Sequence, residues 1–331
     1  MPIREVREAL TRLGCGGSRL LLAVSGGIDS VTLCHVLHHL SQEMNLKLLI
    51  GHVNHGLRGP ESEADQVAVE ALAEQLDLEF EVARLAPAGL RGGLPSRDRP
   101  TLQEAARELR YGWLLDVAER RDVAHVVTAH TLDDQAETVL LRLLRGTGPD
   151  GLGGIPEWSR GGRLVRPLLG VSRSAIEQFA AERRLCWRED ASNAQLDYTR
   201  NRLRHQWLPG LVEEFNPQLL RAIGNLAEAQ RRDSEWMKAE VEREATARFT
   251  EEGSWLVIDA KDWGVIHEAL ARRLARLALE RCGSGRLVSR VHLERVQRFL
   301  AVGAPGRRIE LPGGLTLRRD SRGFRMGPLP S

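Results

Sequence analysis

Cysteine pairs, glycine-lysine steps and long apolar runs are all missing from this 331-residue chain. The four cysteines, Cys15, Cys34, Cys186 and Cys282, stand far apart and form no CxxC step. That excludes a zinc ribbon, an iron–sulfur ligand set and a disulfide framework, and it leaves buried or inert thiols. Lysine occurs at Lys47, Lys238 and Lys261, never after glycine, so a phosphate loop of the Walker type is excluded. No apolar run approaches the roughly 18 residues of a membrane span. The opening MPIREVREAL is too charged for a secretory signal. Aromatic residues make up 5% and form no RNP-like string, which argues against a single-strand RNA module built on stacking. A cytoplasmic protein with no membrane association is the expectation; nothing in the sequence speaks to oligomeric state.

What is present is a chain with 42% hydrophobic and 28% charged residues, long enough for two domains with a substantial core. The net charge of +2 does not announce a nucleic-acid binder. Its distribution says more. Residues 306–331 carry Arg307, Arg308, Arg318, Arg319, Arg322 and Arg325 against Glu310 and Asp320, so basic surface gathers at the tail.

Through the first half, the runs 19–24 (RLLLAV), 46–53 (LKLLIGHV), 78–85 (LEFEVARL) and 123–130 (VAHVVTAH) read as strands. Between them 31–42, 61–76 and 101–121 carry apolar residues at helical spacing, and Thr101 to Glu104 gives the third helix a capping-box start. Strand and helix in alternation indicate an α/β fold, a parallel sheet with helices on both faces. The ligand site then lies at the carboxyl ends of the strands. The stretch 86–99, rich in Gly, Pro and Arg, reads as a mobile loop. From about 217 the character changes to a long polar helix (217–250), a short strand (255–258), two helices (263–281 and 288–301) and a hairpin, RRIELPGGLTLRRD (307–320). The division is thus a catalytic domain over 1–212, then a helical linker and a smaller α+β domain over 213–331.

Strand 19–24 runs into Ser25-Gly26-Gly27-Ile28-Asp29-Ser30. Paired glycines serve a purely steric turn as readily as a ligand. Here, though, the turn opens a helix, which aims unpaired N–H groups and the positive end of the helix dipole at one point, a seat for phosphate. A second pattern, Gly146-Thr-Gly148-Pro-Asp-Gly151, fits GxGxxG on paper but follows a helix and contains proline, so it reads as a loop.

The string SGGIDS resembles the pyrophosphate loop of the ATP pyrophosphatase (PP-loop) superfamily. HVNHGLRGPESEAD (52–65), AARELRY (105–111), TAHTLDDQAETVLLRLLRGTG (128–148) and WREDASNAQLDYTRNRLRH (187–205) together resemble the tRNA(Ile)-lysidine synthetase family, and LPGGLTLRRD is similar to the end of that family's first C-terminal domain. The resemblance implies a ligase that uses ATP and Mg²⁺ on the wobble cytidine of an isoleucine tRNA with a CAU anticodon. The O2 of the base attacks the α-phosphate and releases pyrophosphate; the ε-amine of free L-lysine then displaces AMP. Many family members add a further C-terminal domain, and this chain is short beside them.

On this reading the loop amides with the Ser25 and Ser30 hydroxyls hold the nucleotide. Asp29, repulsive beside polyphosphate on its own, bridges through Mg²⁺; the plain alternative is a helix-start carboxylate favoured by the dipole. Arg107 and Arg110 share a helix face and suit phosphoryl oxygens, or are merely solvated. Asp133, Asp134 and Glu137 converge at a helix start and suit the ammonium groups of lysine, while Thr131 and Asp134 also fit a capping box. The family often has a second histidine where this chain has Thr131, which leaves His130 as a candidate proton acceptor. His52 and His55 meet adenine or ribose, or cap their strand. Arg142, Arg145, Arg200, Arg202 and Arg204 are candidates for tRNA phosphates or ordinary surface charges. The alternatives are another PP-loop tRNA-modifying enzyme such as a thiolase, or a non-catalytic RNA-binding protein on the same fold.

Overall fold

A computed structural model of the chain describes residues 2–87, 101–189, 199–283, 288–321 and 323–329. The expected loop at 86–99 lies outside the described residues from 88 onward, as do residues 190–198 of the 187–205 motif and Arg322 of the basic tail. By compactness the chain divides into Met1–Arg231 and Arg232–Ser331.

The first unit starts with α1 (Pro2–Arg12), then alternates β1 (Arg19–Ala23), α2 (Ile28–Leu40), β2 (Lys47–Asn54), α3 (Pro60–Gln75), β3 (Glu79–Arg84), α4 (Leu102–Arg120), β4 (His125–Val127) and α5 (Leu132–Leu144). There follow α6 (Pro149–Leu152), a small hairpin of β5 (Trp158–Ser159) and β6 (Leu164–Val165), and α7 (Arg173–Glu182). After residue 198 come α8 (Thr199–Arg202), a π-helical turn (Leu203–Trp207), α9 (Leu208–Glu214) and the start of α10 (Leu219–Arg248). The sheet runs β3-β2-β1-β4-β6-β5, parallel except for β5, which pairs antiparallel with β6 at the edge.

Strand β1 reads as an unbroken apolar run because both its faces are covered. Leu20 and Leu22 point into one core with Val6 and Leu10 of α1, Val31 and Leu37 of α2, Val69 of α3 and Ile176 of α7. Leu21 points the other way, into a core with Leu49, Val126, Leu164 and, from α4, Tyr111, Leu114 and Val117. Each such side chain contributes about 1.5–3 kcal/mol by leaving water, so the sheet is clamped between two layers. This rigid frame carries the loops at its carboxyl edge.

Helix starts follow the sequence closely. Thr101 accepts from the Glu104 N–H while the Glu104 carboxylate accepts from the Thr101 N–H, the reciprocal box expected there. Strand β4 is shorter than the run 123–130 suggested: Thr128 makes a last bond to the Val165 carbonyl (3.0 Å), and the chain then turns towards Thr131, the cap of α5. The glycine pattern at 146–151 is not a plain loop: its proline opens the single helical turn α6. All four thiols are free: Cys15 and Cys34 are buried, Cys282 is half-buried and Cys186 is exposed.

The second unit packs an antiparallel sheet, β7 (Phe249–Glu252), β8 (Trp255–Ile258), β11 (Gly323–Pro328), β10 (Leu315–Asp320) and β9 (Arg308–Leu311) in that spatial order, with α11 (Glu268–Arg281) and α12 (Arg290–Val302). Its core joins Leu274, Ala278, Leu293, Val296, Leu317 and Met326. The basic tail is partly folded into this unit. Arg318 lies 4.4 Å over the Trp255 ring, Arg319 donates to the Gly303 carbonyl, and Arg325 pairs with Glu252 at 2.7 Å. Arg307 and Arg308 stay exposed.

Candidate active site

The turn between β1 and α2 is held by its own hydroxyls. Ser30 Oγ accepts from the Ser25 N–H (3.1 Å), donates to the Gly27 carbonyl (2.9 Å) and lies 3.2 Å from Ser25 Oγ. Gly26 has φ +91°, a conformation that L side chains rarely adopt. Its carbonyl accepts from the Arg188 N–H at 3.0 Å, and Arg188 Nε in turn donates to the buried Asp65. Gly27 begins α2 with no side-chain cap, so the first-turn N–H groups remain available to an anion.

Asp29 follows directly. Its Oδ2 accepts from Arg173 Nη1 at 2.7 Å, while its Oδ1 is buried without a partner. Burial pushes this carboxyl up to about 6 despite Arg173, with Asp134 adding to the rise. A bare, buried carboxylate oxygen beside a phosphate seat fits a hard divalent cation that takes its remaining ligands from phosphate and water. The described residues contain no cluster of three His, Cys, Asp or Glu that would hold a metal on its own.

The acidic start of α5 lies alongside. Asp133 Oδ2 accepts from the Arg173 N–H (2.7 Å) at the first turn of α7, and burial raises its carboxyl. Asp134 divides its oxygens. Oδ2 closes the capping box with Thr131 (2.9 Å), while Oδ1 accepts from Arg200 (2.9 Å) and Arg204 (3.2 Å). Burial works to raise it, but Arg200, the Thr131 N–H, His130 and Arg204 outweigh burial and hold it below the usual carboxylate range. The capping reading of Asp134 is thus seen on Oδ2, while Oδ1 is taken by two arginines. Glu137, with no exposed surface, accepts from Arg200 Nε (2.7 Å) and Arg204 Nε (2.5 Å). The two arginines listed among tRNA candidates thus close over the acidic group. Of the remaining candidates, Arg142 donates to the Gly151 and Gly154 carbonyls (3.0 and 2.8 Å), while Arg145 and Arg202 are exposed.

His130 also feels positive charge, from Arg166, Arg107 and Arg110. Arg107, Arg110 and Arg160 all lie near the ring of Tyr111, at 5.0, 5.5 and 5.5 Å from its centroid. Guanidinium groups gathered on one ring are no more than about 11 Å apart. At an effective dielectric constant of about 20 that separation means a repulsion of about 1.5 kcal/mol or more for each pair, at least as large as the attraction of the ring for each of them. Burial lowers both Arg110 and Arg166. His130 is pushed far below the ordinary histidine range by burial, opposed by Asp134 and reinforced by Arg166, Arg107 and Arg110. It is a neutral ring, with Nδ1 3.0 Å from Thr128 Oγ1, and a ring so hard to protonate is a poor acceptor for an ammonium proton. His52 Nδ1 meets the Val24 carbonyl (2.9 Å) and His55 Nδ1 the Leu85 carbonyl (3.3 Å), so both tie strand ends.

Sequence reasoning missed Arg173, Tyr111, Arg160 and Arg166. Tyr111 ends the quoted AARELRY string and was within reach; the three arginines sit in no local pattern.

Residues 3–211 match the family model of the PP-loop domain, and residues 259–322 that of the TilS substrate binding domain. The chain is 38% identical over 317 residues to a tRNA(Ile)-lysidine synthase of Thermosynechococcus vestitus, covering 95% of this chain and 88% of that one. It is 36% identical over 314 residues to that of Solibacter usitatus, covering 94% and 68%. With that of Symbiobacterium thermophilum it shares 39% over 293 residues, 85% of this chain and 60% of the relative. The chain therefore spans about 60% of the length of some relatives and most of others. Among solved structures, a U34-tRNA thiolase from Methanococcus maripaludis shares the fold, with a TM-score of 0.56 and 18% identity over 70% of this chain and 78% of that one. No helix among the described residues is long and apolar enough to cross a membrane. An uncapped glycine turn between β1 and α2, an acidic helix start beside it and near-full-length identity to a relative of known family lead to one assignment: the chain belongs to the tRNA(Ile)-lysidine synthase family.

Proposed function

We propose that the chain is a cytoplasmic ligase that forms lysidine on an isoleucine tRNA with a CAU anticodon, consuming ATP and free L-lysine and releasing AMP and pyrophosphate. The observation that carries this reading is the juxtaposition around His130. His130 feels both the cationic group (Arg107, Arg110) and the acidic group, in which Asp134 and Glu137 share Arg200 and Asp134 also acts on Asp29 of the phosphate turn. A two-step transfer needs both signs. The adenylating step builds negative charge on phosphoryl oxygens, which calls for preorganised donors and cations. The second step brings in free lysine, whose two ammonium groups take carboxylates as partners.

In this scheme the first-turn amides of α2, with Ser25 and Ser30, hold the departing pyrophosphate. Asp29 Oδ1 would hold Mg²⁺, which when bound would neutralise charge on the phosphates. Arg107 and Arg110 hold the α-phosphate. Asp133, Asp134 and Glu137 receive lysine, which requires Arg200 and Arg204 to yield part of their present pairing. His130, kept neutral, serves as a hydrogen-bonding wall between the two half-sites rather than as the acceptor of the lysine proton. Arg145 and Arg202, exposed at present, and the C-terminal region 213–331 meet the tRNA backbone.

The test is direct. With ATP, Mg²⁺, labelled lysine and the CAU transcript, label should enter tRNA with one pyrophosphate released per lysine joined. Pyrophosphate release without label in tRNA would leave an ATP pyrophosphatase of a different substrate class.

A further inference from the structure

The Tyr111 cluster holds more charge than the proposed reaction scheme assigns. Tyr111 is 3% exposed, and its buried hydroxyl faces the Arg110 and Arg166 guanidinium groups without a well-aligned hydrogen bond. Arg107 and Arg110 pair with no carboxylate among the described residues. Arg160 has Glu108 at 3.7 Å, a loose pairing on an exposed surface. Behind them Arg166, 4% exposed, donates to the Pro156 carbonyl (2.7 Å) and to Ser159 Oγ (3.2 Å), and its Nε is buried and unpartnered. Arg107 and Arg160 are open to solvent while Arg110 is half-buried and Arg166 buried, so the cluster is a cationic seat that opens outward and has no close counter-charge among the described residues.

Arg160 reaches the cluster from an unexpected place, the tip of the β5–β6 hairpin. The tip turns through three successive left-handed residues, Arg160 (φ +55°), Gly161 (+68°) and Gly162 (+85°). It is pinned from two sides, by His125 Nδ1 on the Gly162 carbonyl (2.9 Å) and by Arg166 on Ser159. A non-glycine residue held in that conformation within a braced turn is a mark of positional demand.

We infer that Tyr111 and Arg160 belong to the phosphoryl-binding machinery: the Tyr111 ring is a positioning platform that gathers Arg107, Arg110 and the hairpin-borne Arg160 into one seat for a nucleoside monophosphate anion. Arg166 braces the hairpin that delivers Arg160. The seat explains the missing counter-charge, since a dianionic phosphate answers three guanidinium groups at once. The inference rests on the adenylation reading for the identity of the anion, and the two fail separately. Wild-type protein that binds AMP here yet makes no lysidine would remove the proposed function alone.

AMP binding to the full-length protein is the test, measured by calorimetry and by the rise in melting temperature. Arg160→Asn keeps a residue that tolerates the left-handed turn while removing the charge. It should weaken AMP at least fivefold and leave the ligand-free melting temperature unchanged or higher, because a like charge has gone. A purely structural arginine would lower it. Tyr111→Phe should bind AMP within twofold of wild type, and Tyr111→Leu should lose at least tenfold, with the loss appearing in kcat for pyrophosphate release and not in the KM for lysine. AMP affinity within twofold of wild type in Arg160→Asn overturns the inference for Arg160. The same result in folded Tyr111→Leu overturns the platform; should Tyr111→Leu not fold, Arg160→Asn decides.

Discussion

Asp29 carries two oxygens with different fates, one on Arg173 and one bare. Its carboxyl, raised to about 6, lies above the value of about 3.9 in an unfolded chain. The neutral form is therefore favoured by folding. That contribution is complete below pH 4 and is lost as pH rises through 6, by about 2–3 kcal/mol over the window. Asp29→Asn should accordingly flatten this part of the stability profile in denaturant titrations between pH 4 and 7. It should also stabilise the ligand-free protein at pH 7 by about 1–2 kcal/mol while abolishing pyrophosphate release. Glu137→Gln tests the other half-site: pyrophosphate release should continue at a tenth of the wild-type rate or better, while lysine transfer falls at least a hundredfold. The opposite split between these variants would exchange the roles assigned to the two carboxylates.

At the level of elements, the caps decide what the side chains around them are free to do. Thr131 stands where the family often has histidine, and in this chain it closes α5 onto Asp134. Thr131→Ala should cost about 1 kcal/mol by thermal melting and raise the KM for lysine, because Asp134 is then no longer fixed at one oxygen. The first four strands, their helices and both capping boxes were legible because long periodic runs and short-range hydrogen bonds leave a local trace. The hairpin at 158–165 was not: its strands are two residues each, too short for an alternation to register. With it went Arg160, and with α7 went Arg173, whose neighbours Asp29 and Asp133 are remote in sequence. Arg200 and Arg204 were visible as basic residues, but their pairing with Glu137 depends on a fold that returns the 199–207 segment to α5.

On the scale of the whole chain, each compact unit has its own core, so a version ending at Arg231 should fold and bind ATP. Its tRNA affinity should fall at least tenfold in filter binding, and the slope of affinity against salt should shrink as phosphate contacts are lost. An unchanged slope would move the tRNA contacts wholly onto the first unit.

The hydrogen bond from the Arg188 N–H to the Gly26 carbonyl has a further consequence at this scale. A peptide between two small residues in a turn can rotate to present either its carbonyl or its N–H inward, and only one of the two faces welcomes phosphate. The choice is held from residue 188, anchored through Asp65, together with the Gly27 N–H, which reaches Ser25 Oγ at 3.5 Å. A nascent protein, or a fragment that stops before residue 188, carries the whole glycine motif with that peptide held only by the longer of the two bonds.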